Sequence, residues 1–142
     1  MALNQEYQAL GYDIIGAAFD VLNHSGKGLR EKFYEKALIY ELRLKGHDVK
    51  EQVMIPVIYK NTKIDDAYMA DIVVDNKVII EVKSILKMGE SECRQLITYL
   101  KLSGLKLGYL INFGAPNFKT GKITEALPYR HGIYRFVNEM PD

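Results

Sequence analysis

Two short runs of apolar residues constrain the fold of this chain more than any other feature of its sequence. Met69–Val74 and Val78–Val82 are rich in valine and isoleucine, which favour β-strands. Their apolar residues occupy successive positions rather than every second one, so both faces of each strand are apolar. Strands of this kind lie in the middle of a sheet that is covered on both sides. The two runs therefore predict a central β-sheet with helices on its faces.

Helices and further strands are predicted on either side of these two runs. Apolar residues recur with helical spacing in three segments, and β-branched runs mark more strands. The helices are expected from Asn4 to about Asn23, from Leu29 to Lys45 and from Glu90 to Leu102, and the strands from Val53 to Tyr59 and from Leu107 to Phe113. In the tail, Ile123–Ala126 and Ile133–Val137 are expected to add an edge strand. Because a helix separates the third strand from the fourth, part of the sheet is expected to be parallel or mixed, and the fold class is α/β.

Length and composition narrow the classes of protein to which this chain can belong. It has 142 residues, of which 48% are hydrophobic and 26% are charged, and we expect residues 1–142 to form a single globular domain. Cys93 is the only cysteine, which excludes an internal disulfide and a cysteine-rich zinc module. The sequence has no signal segment and no apolar run of about 20 residues, so we expect a cytoplasmic protein without a membrane partner. A net charge of +1 gives no support by itself to a nucleic-acid partner.

Three charged residues interrupt the two central runs: Asp71, Glu81 and Lys83. Burying a charge is costly, so charges are expected in such strands only where they are paired, bind a metal ion or lie at an open strand end. Because side chains alternate along a strand, Glu81 and Lys83 share a face. The three residues are therefore candidates for a functional site.

The position of Asp71 relative to Glu81 depends on the turn that joins the two strands. A two-residue turn over Asp75–Asn76 would set Asp71 opposite Ile80 and send Glu81 to the other face. A three-residue turn over residues 75–77 would set Asp71 opposite Glu81 instead. That register also gathers a wholly apolar set on one face, namely Ile72, Val74, Val78, Ile80 and Val82. We therefore predict the three-residue turn.

Such an arrangement has the chemical parts that phosphodiester hydrolysis requires. Two carboxylates with Cβ atoms about 5 Å apart repel one another unless a cation lies between them. Oxygen ligands with open positions suit Mg²⁺ or Mn²⁺ better than zinc. A neighbouring lysine offers a positive charge for a phosphate group and, if its pKa is lowered, a route to an activated water molecule.

Three motifs resemble those of a known group of nucleases. Asp71, followed after nine residues by Glu81–Lys83, resembles the D-x(n)-[D/E]-x-K core of the PD-(D/E)XK nuclease superfamily. Gly28–Tyr34 is similar to the pattern that names the GxxExxY protein family, a member group of that superfamily. Gln95–Tyr99 resembles the QxxxY element of RecB-like nucleases. The resemblance covers most of the chain, from about Asp13 to Ala126.

This resemblance implies a fold, an activity and a set of site residues. The fold would be a restriction-endonuclease-like core, a central mixed sheet flanked by helices in the order α-β-β-β-α-β. The activity would be that of a divalent-metal-dependent nuclease that hydrolyses phosphodiester bonds in DNA, with Mg²⁺ or Mn²⁺ as cofactor. The implied metal ligands are Asp71, Glu81, the Val82 carbonyl and Glu31. Lys83 would orient or activate the attacking water, and Gln95, Tyr99 and Tyr34 would support the site. The proline of the superfamily motif is replaced by Ala70.

Alternatives stay open for the function and for individual residues. The fold can also serve as a catalytically inactive nucleic-acid-binding or protein-interaction module, or as a structural dimerisation domain with a large apolar patch. Cleavage of both strands by one small domain needs two sites, which suggests a homodimer. Glu31 lies in a first helical turn, where the helix dipole favours any acid. The histidines, His24, His47 and His131, have no metal-ligand spacing and no carboxylate partner nearby in sequence.

Overall fold

A mixed β-sheet covered by helices on both faces organises the chain. The computed structural model describes residues 3–64, 68–121 and 131–138. The helices are α1 (Gln5–Ser25), α2 (Glu31–Leu44) and α3 (Glu90–Ser103). The strands are β1 (Val49–Met54), β2 (Val57–Tyr59), β3 (Thr62–Ile64), β4 (Met69–Val74), β5 (Val78–Lys83), β6 (Leu107–Asn112), β7 (Asn117–Gly121) and β8 (His131–Val137). The predicted strand at Ile123–Ala126 lies outside the described residues.

The helices begin and end where the sequence supplies a boundary. The Asn4 side chain accepts a hydrogen bond from the Tyr7 N–H at 3.0 Å and caps the start of α1. Gly26, Gly46 and Gly104 follow the three helices with φ of +75°, +91° and +74°, a left-handed region that glycine enters without a Cβ clash. The three predicted helices are confirmed, with ends that differ by at most two residues.

Six strands form the main sheet in the order β1-β4-β5-β6-β8-β7. β1, β4 and β5 pair in antiparallel fashion, whereas β5 and β6 are parallel because α3 carries the chain back across the sheet. β6 pairs with β8 antiparallel, and β8 pairs with β7 parallel. The expectation of a mixed sheet is confirmed.

Each face of this sheet has its own apolar core. On one face, α1 and α2 cover the set that the sequence predicted to be apolar, Ile72, Val74, Val78, Ile80 and Val82. On the other face, α3 packs against Val73, Ile79 and Leu110. Burial on both faces explains why successive residues of β4 and β5 are apolar.

The turn between β4 and β5 sets the register of the two strands. Lys77 N–H donates to the Val74 carbonyl at 2.9 Å across Asp75 and Asn76, whose φ values are +53° and +55°. Aspartate and asparagine tolerate this conformation better than most residues. Val74 pairs with Val78 and so confirms the three-residue turn. The same register, extended by one pair beyond Ile72 and Ile80, sets Asp71 opposite Glu81.

The prediction of one strand from Val53 to Tyr59 was wrong. β1 ends at Met54, and β2 begins at Val57 after an interruption that contains Pro56. Proline has no backbone N–H to donate to a sheet ladder, which ends the pairing with β4. β2 then pairs with β3 as a separate two-stranded sheet inserted between β1 and β4.

The prediction of an edge strand at Ile133–Val137 was correct about the strand and wrong about its place. β8 lies between β6 and β7, and β7, which was not predicted, forms the edge. Ile133 belongs to the core under α1 and α2, whereas its neighbour Tyr134 belongs to the core under α3. A strand that contributes to both cores needs cover on both faces, which an interior position provides.

Candidate functional site

Two carboxyl groups meet where the ladder between β4 and β5 ends. Asp71 N–H donates to Glu81 Oε1 at 3.2 Å, and Val82 N–H donates to Asp71 Oδ2 at 2.9 Å. Each acidic side chain thus accepts a backbone N–H of the neighbouring strand. The structure therefore brings Asp71 and Glu81 together at the end of the two central strands.

Glu81 is buried to an extent that is rare for a glutamate, with 1% of its surface exposed. Burial and the neighbouring Asp71 carboxylate raise the pKa of Glu81 to about 9. In the absence of a metal ion, the Glu81 carboxyl group is therefore protonated at neutral pH. A cation beside the two carboxyl groups would favour the ionised form, so this donor set fits a divalent metal.

Lys83 ends β5 and connects the carboxyl pair to α3. Its Nζ donates to Gln95 Oε1 at 3.1 Å, and Gln95 Nε2 donates to the Tyr99 hydroxyl at 2.9 Å. Burial raises the pKa of Tyr99, and the charge of Glu81 raises it further. The one-turn spacing of Gln95 and Tyr99 thus places both polar groups in a chain of hydrogen bonds that starts at Lys83.

Glu31 approaches the pair from the start of α2. Burial raises the pKa of Glu31, the Lys83 charge lowers it, and the Asp71 charge raises it, with a net shift upwards. Across the described ranges, no three His, Cys, Asp or Glu side chains are close enough together to hold a metal ion. Glu31 is therefore near the carboxyl pair without completing a three-carboxylate cluster.

Tyr34 fixes the loop that leads into α2. Its hydroxyl donates to the Gly26 carbonyl at 2.6 Å and accepts the Leu29 N–H at 3.2 Å. Its ring is fully buried and stacks on Phe113, with ring centroids 4.4 Å apart. Gly28, with φ of +90°, makes the turn inside this loop. These contacts give a physical reason for a glycine and a tyrosine on either side of Glu31.

A comparison with protein-family models gives one match. Residues 8–124 match the model of the PD-(D/E)XK nuclease superfamily, a span that contains Glu31, the carboxyl pair, Lys83 and Gln95. The chain belongs to the PD-(D/E)XK nuclease superfamily. Its mixed sheet flanked by helices agrees with the restriction-endonuclease-like fold of that superfamily.

Membership of the PD-(D/E)XK superfamily supports a nuclease-like function in general and suggests a nucleic-acid substrate. PD-(D/E)XK nucleases generally use divalent metals such as Mg²⁺. No curated protein and no solved structure matches the chain significantly. In the described part of the chain, no helix has the length and apolar character needed to cross a membrane. The assignment to the GxxExxY group stays a prediction.

Ala70 occupies the position of the proline in the superfamily motif. It lies in β4 and is fully buried against the α3 face of the core. It also pairs with Val53 of β1. Ala70, unlike proline, has a backbone N–H that can take part in the sheet.

Glu35 is a further buried acid near this site, and it was not predicted from the sequence. It is 3% exposed, and Gln52 Nε2 donates to its Oε1 at 2.7 Å. The Glu35 charge raises the pKa of Glu31. The signal was present in the sequence, because residues four apart on a helix share a face and Glu31 had already been assigned to the site.

His47 has carboxylate partners that its neighbours in sequence do not supply. Its Nε2 lies 2.8 Å from Asp13 Oδ2, and its Nδ1 lies 2.7 Å from Asp75 Oδ2. The two partners are 34 and 28 residues away along the chain, which is why local spacing did not indicate them. This cluster ties α1 to the turn between β4 and β5, at the opposite end of β5 from Lys83.

Proposed function

We propose that this protein is a divalent-metal-dependent nuclease that hydrolyses phosphodiester bonds in DNA. The observation that carries the proposal is the contact between Asp71 and the buried Glu81 beside Lys83. A buried carboxyl group with a second one against it is unfavourable unless a cation or a proton compensates. Within the PD-(D/E)XK superfamily, a cation at this position is the simplest reason for keeping both acids.

The proposed metal ligands are Asp71, Glu81, the Val82 carbonyl and Glu31, and the ion is Mg²⁺ or Mn²⁺. Their oxygen atoms are the donors that these hard cations prefer. When bound, the ion would supply a Lewis acid for the phosphoryl oxygens and an acidified water molecule. The Asp71 charge acts on the pKa of Glu31, which supports Glu31 as the ligand that α2 contributes.

Lys83 is proposed to act on the substrate itself. Its ammonium group lies at the open end of β5, where it can orient the attacking water and stabilise the charge that develops on the phosphate. Gln95 holds the Lys83 ammonium in place, and the Tyr99 hydroxyl in turn holds Gln95. Tyr34 supports the site from the other side, because it fixes the loop that precedes Glu31.

A cleavage assay tests the proposal directly. Plasmid, linear duplex and single-stranded DNA, and RNA, are incubated with the protein and Mg²⁺, Mn²⁺ or EDTA. We expect metal-dependent cleavage of DNA that falls by about 100-fold or more in Asp71→Asn and in Lys83→Ala, as expected for loss of a charge that acts on the reacting groups. The matched controls are Asp20→Asn on α1 and Lys101→Ala on α3, two exposed charges that should leave the rate unchanged.

The outcomes of this assay separate the alternatives. Cleavage that persists unchanged in both site variants would exclude the assigned site. Binding of DNA without turnover, and with no calorimetric signal for either metal, would favour the catalytically inactive module. Sedimentation velocity on the same samples tests the proposed homodimer. A monomer that cleaves both strands would show that a homodimer is not needed for double-strand cleavage.

A further inference from the structure

The two-stranded sheet of β2 and β3 is a hairpin that stands apart from the main sheet. Tyr59 pairs with Thr62 across a two-residue turn formed by Lys60 and Asn61. Both turn residues have positive φ, +47° and +68°, which is the type I′ geometry that matches the twist of a hairpin. The hairpin therefore has a defined turn and a fixed register.

Apolar side chains of this hairpin are exposed to solvent. Ile58 and Tyr59 keep 66% and 61% of their surface exposed, and Ile64 is also exposed. Side chains alternate along each strand, so Tyr59 and Ile64 share one face and Ile58 lies on the other. An isolated two-stranded hairpin is marginally stable without a further layer against it. The exposed apolar side chains are therefore available for contact with a ligand.

The base of the hairpin is continuous with the candidate site. Met69, which is exposed, follows the hairpin and lies two residues before Asp71, a distance of about 7 Å along a strand. Tyr68 contacts the ring of Tyr99 edge to face, with centroids 5.9 Å apart. Tyr99 is the residue that holds Gln95 and, through it, Lys83. The residues that follow the hairpin in sequence are thus linked through Tyr99 and Gln95 to Lys83 of the candidate site.

The chemistry of the hairpin fits a ligand with flat rings and negative charge. Lys60 Nζ lies 5.6 Å from the centre of the Tyr59 ring, so a cation and an aromatic face are presented together. Residues 53–64 contain two lysines and no acidic residue. The acids that follow, Asp65 and Asp66, lie outside the described residues. Stacking of bases on aromatic rings beside lysines is the usual way in which proteins bind unpaired nucleotides.

We propose that the β2–β3 hairpin binds unpaired nucleotides next to the site of cleavage, with a base stacked on Tyr59. This inference rests on the proposed nuclease function and adds the form of the substrate. In a duplex the faces of the bases are already stacked on one another, so the hairpin selects nucleic acid with a single-stranded segment.

Binding measurements with matched tyrosine variants test this inference. Fluorescence anisotropy is recorded in EDTA, which prevents metal-dependent cleavage, with a labelled single-stranded DNA and a blunt duplex of the same sequence. We expect Tyr59→Ala to weaken single-strand binding about tenfold, the effect of losing one stacked base, and Tyr59→Phe to retain it. The control is Tyr40→Ala on α2, a tyrosine of nearly equal exposure at 63% that should leave binding unchanged.

Other outcomes would overturn the inference. Equal affinity of Tyr59→Ala and Tyr40→Ala for single-stranded DNA would exclude a base-stacking hairpin. So would a loss of affinity in Tyr59→Ala that is the same for single-stranded and duplex DNA. A dimer in sedimentation velocity that Tyr59→Ala dissociates would show that a second copy covers the hairpin instead. If the wild type cleaves DNA and only the hairpin prediction fails, the proposed nuclease function stands; if the wild type neither binds nor cleaves any nucleic acid, both fail.

Discussion

At the scale of single residues, Glu81 has one role in folding and a different, proposed role in metal binding, and the two can be tested separately. Its buried carboxyl group is protonated at neutral pH because burial and Asp71 raise its pKa to about 9. Glutamine at this position can still accept the Asp71 N–H, and it can donate an N–H where the protonated carboxyl donates an O–H. The loss of the acid should therefore matter far more for metal binding than for folding.

We accordingly predict that Glu81→Gln changes the free energy of unfolding by less than about 1 kcal/mol near pH 7 and abolishes metal-dependent cleavage. Glu81→Ala should cost about 2–4 kcal/mol, because it leaves a cavity and an unpaired Asp71 N–H. Urea unfolding at fixed pH measures both variants. Equal destabilisation by glutamine and alanine would contradict this account of Glu81.

His47 should make the stability of the fold depend on pH. Partial burial lowers the pKa of His47, but hydrogen bonds to Asp13 and Asp75 outweigh it and the net pKa is raised above 6.5. A histidine whose folded-state pKa is raised stabilises the fold fully below the unfolded-state pKa, and that stabilisation is lost as the pH rises through the folded-state pKa.

The prediction is that His47→Asn destabilises the protein by roughly 1–2 kcal/mol near pH 5.5, a value at the lower end for charged hydrogen bonds because both aspartates are partly exposed to solvent. The loss should shrink as the pH rises through the raised folded-state pKa of His47. Urea unfolding as a function of pH gives the comparison, with His24→Asn, an exposed histidine on α1, as the control. A loss that is the same at all pH values would exclude a charged His47.

Local patterns could predict some of these residues and not others. Asp71, Glu81 and Lys83 were identifiable because each is a charged residue within or directly after an apolar run, where charges are not expected. Lys83 lies on β5 and Gln95 lies on α3. Each residue could be predicted from its own motif, but the hydrogen bond between them could not, because it joins two separate elements. The partners of His47 come together only after the sheet has formed, and no spacing in the sequence indicates them.

At the scale of elements, the loop before α2 is held by one hydroxyl group. Tyr34 is both donor and acceptor there, to Gly26 and from Leu29. We predict that Tyr34→Phe costs about 1–2 kcal/mol of stability and speeds hydrogen exchange at the Leu29 amide, which loses its acceptor. Exchange mass spectrometry and urea unfolding measure the two effects. Tyr40→Phe, on the exposed face of α2, should change neither.

The elements that the sequence predicted correctly are those with signals inside their own boundaries. The register of β4 and β5 followed from the length of one turn and from the wholly apolar face that this register creates. The strand predicted at Val53–Tyr59 failed because apolar residues on both sides of Pro56 look continuous, although the proline ends the pairing. The place of β8 depends on which strands it pairs with, and its own residues do not encode that choice.

At the scale of the whole molecule, metal binding and stability should be coupled through the two central strands. The proposed ligands Asp71 and Glu81 lie on β4 and β5, which both cores cover. An ion that binds this folded arrangement and not the unfolded chain stabilises the fold, by about 2.7 kcal/mol when its concentration is 100 times its Kd. Ionised Glu81 would then be neutralised by the cation instead of by a proton.

We therefore predict that Mn²⁺ or Mg²⁺ raises the Tm of the wild type by several degrees relative to EDTA, as about 1–3 kcal/mol does for a protein of this size. Asp71→Asn should show no such rise, because it removes one of the paired charges, whereas Asp20→Asn should respond like the wild type. Scanning calorimetry with and without metal makes the comparison. An equal rise in Asp71→Asn would mean that the ions bind elsewhere. No rise in the wild type would mean that the carboxyl pair holds a proton and not a metal, and that its role is in packing the sheet.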